Sequence, residues 1–106
     1  MTDFEKKEYY SSLYDIYSSL LTDKQRSYFE DYYFNDLSLF EIADNSSVSR
    51  NAVYDQLQKV VNILDEYESK LWLLKKEKKL DEILDDYKDN ANLEVKELIS
   101  RIKNME

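Results

Sequence analysis

Neither glycine nor proline occurs anywhere in this 106-residue chain. Tight strand hairpins and phosphate-cradling loops depend on glycine, and turns in general draw on both residues. Their joint absence leaves helices joined by short polar links, so the expected fold class is all-α. Helices must then end on a residue that tolerates the left-handed conformation, and after glycine that is asparagine. Asn35, Asn45, Asn90 and Asn104 fall where helices are expected to stop.

The stretch Leu37–Leu57, LSLFEIADNSSVSRNAVYDQL, carries the clearest local signals. Ser38 and Glu41 have the spacing of a capping box, with Leu37 and Ile42 placed as a hydrophobic staple. Eleven residues later Ser49 can cap a second helix, with Val48 and Val53 as its staple. Only Asn45-Ser46-Ser47 separates the two, so they must cross steeply, as in a helix-turn-helix. Ala43 falls on the inward face of the first helix, where a crossing partner needs a small side chain; Ala52 lies in the first turn of the second. An ordinary αα-hairpin gives the same pattern, so the motif alone does not establish nucleic-acid binding.

Around this core, residues 4–21 form a first helix with Tyr9, Leu13, Ile16, Tyr17 and Leu20 at helical spacing. Thr22 with Gln25 opens a second that runs to about Phe34 and buries some of Tyr28, Phe29, Tyr32 and Tyr33. Val53, Leu57, Val60, Leu64, Tyr67, Leu71 and Leu74 then alternate by four and three, predicting one long helix over about 50–79. In a parallel self-pair Lys70 would face Lys75, so antiparallel or intramolecular packing is favoured. The run KKEKK at 75–79 reads as a solvated face, with a phosphate or RNA contact as the alternative. Beyond it Leu80, Leu84 and Tyr87 form a new stripe. A last helix from about Asn92 to Asn104 carries Leu93, Val95, Leu98, Ile99 and Ile102 as its buried positions. The expectation is a single domain, 1–106, with a helix-turn-helix core at about 22–61, C-terminal helices over about 80–104, and five main helices in all.

Chemistry is narrowly bounded. Cysteine and histidine are both absent, which removes disulfides, Cys/His zinc sites, thiol nucleophiles and imidazole bases. Asp81, Glu82, Asp85, Asp86 and Asp89 have no basic orienter and read as a solvated face rather than a metal or acid–base site. No catalytic constellation, cofactor or metal is expected. The N-terminus lacks a secretory pattern, and no apolar run approaches membrane length. A cytoplasmic, non-inserting protein is the expectation. Net charge is −8, with −2, −3 and −3 in residues 1–21, 22–61 and 62–106. No segment is basic, although DNA affinity depends on Lys and Arg displacing phosphate counterions. Ten tyrosines could suggest a stacking surface, but an AT-rich genome also encodes such a composition, and stacking platforms need a basic groove beside them.

The elements LTDKQRSYFEDYYFNDLSLFEIA at 21–43, VSRNAVYDQL at 48–57 and ILDEYESKLWLLKK at 63–76 resemble the YlxM family of helix-turn-helix proteins, also called p13-like. The resemblance implies a fold like the fourth region of bacterial sigma factors, here with a long extended helix and a C-terminal helix. It also implies a regulatory link to the signal recognition particle, beside whose genes such proteins are usually encoded.

Two functions compete. The favoured one is a non-enzymatic regulator that binds the particle's protein or RNA, which suits an acidic surface meeting a basic partner. The alternative is a sequence-specific DNA-binding regulator. Its second helix would enter the major groove with Ser49, Arg50, Asn51 and Tyr54; Arg50 suits guanine and Asn51 adenine. Lys59, with Lys24 or Arg26, would touch phosphates. A homodimer is expected in either case, because the apolar stripe outruns what four short helices can cover.

Overall fold

Side chains near the start of each helix dictate where it begins, because the first N–H groups of any helix lack partners within it. The computed structural model describes residues 1–105. Thr2 caps α1 (Asp3–Tyr17), which ends in a 3₁₀ turn at Ser18–Leu20. Thr22 and Gln25 form a complete capping box on α2 (Asp23–Tyr33), at 3.2 and 2.9 Å. Ser38 and Glu41 do the same for α3 (Leu39–Ser46), at 3.1 and 3.2 Å. Ser49 accepts from the Ala52 N–H at 3.1 Å and opens α4 (Arg50–Leu71). After α5 (Leu73–Tyr87), Asn92 caps α6 (Leu93–Lys103). Among the described residues every regular element is helical. They form two compact units, one ending at Leu74 and the other beginning at Lys75.

The first unit holds two adjoining cores. One gathers Leu13, Tyr14, Tyr17, Leu21, Phe29, Val60, Leu64 and Leu74 from α1, the α1–α2 link, α2, α4 and the start of α5. Phe29 is stacked between Tyr14 and Tyr33, with ring centroids 4.5 and 4.2 Å apart. Such aromatic pairs add attraction beyond the area they bury. The other core joins Tyr28, Ile42, Ala43, Val53 and Leu57, with Leu37 packed against it. The buried Ala43 lies where α3 meets α4, as its size requires, and Leu37 forms its half of the first staple. Val48 does not; it is exposed.

Among the described residues the expected 50–79 helix is two helices, and the α-helices number six rather than five. Trp72 adopts left-handed φ/ψ of 56° and 28° and ends α4, a conformation costing a bulky residue about 1–2 kcal/mol. Three features offset that cost. The Trp72 indole N–H donates to the Ser69 carbonyl at 3.0 Å. The freed N–H groups of Leu73 and Leu74 donate to the Tyr17 hydroxyl (3.3 Å) and the Glu68 carboxylate (3.0 Å). Leu74 is buried in the first core, a gain of roughly 1.5–3 kcal/mol. Since α1 ends at Tyr17, a straight continuation of α4 would run past the surface it packs on.

Further departures have related causes. Leu71 sits at the break and is 46% exposed, although the heptad predicts it inside. Leu20 points outward, while Tyr14 and Leu21 take its place in the core. In α6 Leu93 and Leu98 are exposed, and no side chain of that helix is buried. None of the four asparagines takes a left-handed conformation; Asp36, Ser47 and Trp72 do. Ser47 closes a Schellman turn: its N–H donates to the Asp44 carbonyl and that of Val48 to Ala43, at 3.3 and 3.1 Å.

Candidate nucleic-acid interface

The face that α4 turns away from its core begins at the tight α3–α4 turn. Val53, Leu57, Val60 and Leu64 point inward, so helical geometry puts residues 51, 55, 58 and 59 outward and Tyr54 on a flank, whereas Arg50 continues the stripe of Val53 and Leu57 and is exposed as the first residue of the helix. Arg50, Asn51, Tyr54 and Lys59 are all exposed, and among the described residues neither Arg50 nor Lys59 is in an ion pair. Ser49 is spent as the helix cap. It remains placed where backbone N–H groups face outward and favour an anion.

These residues are not one cluster. Asn51, Tyr54 and the unforeseen Gln58 lie side by side, with Gln58 Nε2 3.4 Å from the Tyr54 hydroxyl. Arg50 and Lys59 stand on either side of them, about half a turn apart and roughly 14 Å along the axis. That disposition suits base edges between two phosphate strands. Asp55 also lies here and opposes phosphate approach on its side.

The expected phosphate contacts divide. Arg26 donates to the Ser18 and Leu21 carbonyls at 3.2 and 2.9 Å and pairs with Asp23, so it serves as a structural clamp. Lys24 lies 5.9 Å from the Tyr28 ring centroid. Two other cations stand beside α4. A groove of about 510 Å³ runs between α1, α2 and α4, with Lys6, Lys7, Tyr10, Tyr32, Tyr54 and Gln58 among its walls. Lys7 sits 5.0 Å over the Tyr32 ring and 3.7 Å from Asp36. Burial, and then a hydrogen bond to Asp65, pushes the Tyr10 hydroxyl up to about 12. Lys6 and Lys7 lie more than forty residues from α4 in sequence, so only tertiary packing places them here.

Among the described residues no group of three or more acidic side chains could hold a metal ion. No helix there is long and apolar enough to cross a membrane.

The family described as "Putative helix-turn-helix protein, YlxM / p13 like" matches residues 4–105. A UPF0122 protein of Streptococcus agalactiae serotype III is 42% identical over 107 residues, covering 96% of this chain and 97% of its own. A UPF0122 protein of Bacillus mycoides is 42% identical over 109 residues, with 96% and 98% covered. One from Bacillus cereus strain AH187 is 41% identical over the same length and shares.

Proposed function

We propose that this chain, which belongs to the YlxM/p13-like helix-turn-helix family, is a non-enzymatic regulator that lays the start of α4 into the major groove of duplex DNA. The supporting observation is the exposed face of Arg50, Asn51, Tyr54 and Gln58 immediately after the Schellman turn at Ser47. A recognition helix reads bases with its N-terminal residues in this way, as sigma-factor region 4 would. Arg50 contacts guanine, Asn51 contacts adenine, and Lys59 with Lys6 and Lys7 holds phosphates. The protein works in the cytoplasm as a homodimer, so its target has two related half-sites.

The test is selection of bound duplexes from a random pool, followed by anisotropy titration at several salt concentrations. Arg50→Ala should cost about 1–3 kcal/mol and relax one base position. Lys59→Ala should weaken all sequences alike and lower the salt slope by about one. A pool that yields no enriched sequence, with no difference between wild type and Arg50→Ala, would remove this reading.

The net charge of −8 favours a second reading, in which the protein serves the signal recognition particle pathway by docking on the particle's basic protein or on its RNA. Titration with purified particle protein, with and without its RNA, tests it. Reversal of Asp81, Glu82 and Asp85 should then weaken binding more than Arg50→Ala does. Equal binding by both variants and wild type would count against it.

A further inference from the structure

The outer face of α5 from Lys76 to Tyr87 is uncovered and patterned for a copy of itself. Lys76, Leu80, Ile83 and Tyr87 recur at four, three and four residues, one continuous helical seam. Leu80, Ile83 and Tyr87 are 43%, 46% and 52% exposed. In the unit that begins at Lys75 and holds most of this helix, Leu84 is the only described buried side chain. A helical pair of about thirty residues with so little core ordinarily needs an added partner to hold its shape.

The charges say which partner and in which direction. Residues 75–79 carry net +3 and residues 81–89 net −4. Two copies of α5 packed in parallel would set like charge against like along the whole seam. Packed antiparallel, each basic half meets the partner's acidic half. The seam fixes the register: Leu80 of one copy meets Ile83 of the other, and Lys76 meets Tyr87, where its ammonium lies against the ring. Lys79 and Asp86 then flank the seam on opposite chains, twice over by symmetry. Within the chain Lys79 reaches only a loose pair with Glu82 at 3.8 Å, both side chains 71% exposed.

We infer that α5 is a self-association surface: two copies of this protein pair through antiparallel α5 helices, with a two-fold axis near residues 81 and 82 and a Lys79–Asp86 contact on each side. The pairing deepens the homodimer of the proposed function by naming its surface, but it does not rest on the DNA contacts. None of α4's proposed contacts takes part, and loss of DNA binding would leave the pairing intact.

Sedimentation equilibrium of the full chain, repeated with charge variants, tests the surface and its register together. Wild type should be a dimer that weakens with added salt. Lys79→Glu and Asp86→Lys should each raise the dimer dissociation constant about tenfold. The double exchange should restore it to near the wild-type value. Ile83→Asp should give monomer with unchanged helical circular dichroism, since the side chain is about half exposed and belongs to neither core. A wild type that stays monomeric at several hundred micromolar would overturn the inference. So would a dimer indifferent to all of these variants, or single reversals that the double exchange fails to repair.

Discussion

Replacing Glu68 with alanine should show how much of the fold hangs on the break after α4. One carboxylate oxygen of Glu68 accepts from the Tyr17 hydroxyl at 2.7 Å and from the Leu74 N–H at 3.0 Å. The Leu74 bond acts as a cap on α5, and losing a cap costs about 0.5–2 kcal/mol. The Tyr17 bond is charge-assisted, and Tyr17 is only 1% exposed, so its stranded hydroxyl proton adds about 1–3 kcal/mol. Together these give roughly 1.5–5 kcal/mol, a sizeable share of the 5–15 kcal/mol typical of a domain. Urea unfolding followed by circular dichroism measures the loss, with Tyr17→Phe and the double variant completing a cycle. A coupling energy of about 1–2 kcal/mol between the two positions is expected. If the single losses simply add, or if Glu68→Ala costs less than about 0.5 kcal/mol, the network does not hold the break and the account of Trp72 fails.

Three other expectations follow from burial and titration. Leu64→Ala should cost about 2–5 kcal/mol, because the side chain is wholly buried, whereas the exposed Leu71→Ala should cost about 0.5 kcal/mol or less; equal losses in thermal unfolding would restore an unbroken heptad. Ala43→Phe should destabilise by about 1–3 kcal/mol or more in the same assay, and a neutral effect would mean that α3 and α4 do not meet there. Burial, and then neighbouring carboxylates, pushes the Tyr10 and Tyr14 hydroxyls from 10 up to about 12. Since the folded values are the higher ones, this contribution is complete below pH 10 and is lost as pH rises towards 12. Phenolate absorbance should therefore show at least two tyrosines ionising late, as helicity falls; all ten titrating near 10 in an intact fold would contradict it.

Much of this protein is legible in local chemistry alone. Thr22, Ser38 and Ser49 start helices where their spacing to Gln25, Glu41 and Ala52 says they must, because a cap involves only residues three apart. The all-helical class follows from the missing glycine and proline, and the inward faces of α3 and of α4 as far as Leu64 from periodicity. The family resemblance rests on those same segments, and the match over residues 4–105 bears it out.

What the sequence leaves open depends on contacts across long separations. Nothing near Trp72 marks a break; it exists because Tyr17, more than fifty residues away, and Glu68 satisfy the backbone that the break exposes. The exposure of Leu20, Leu71 and Leu98 has the same origin, since periodicity identifies an apolar face but not what lies opposite it. The candidate interface divides along this line too. Ser49, Arg50, Asn51 and Tyr54 can be named from one helix start. The diversion of Arg26 to backbone carbonyls, and the arrival of Lys6 and Lys7 beside Tyr54 and Gln58, are decided only when α1, α2 and α4 pack together.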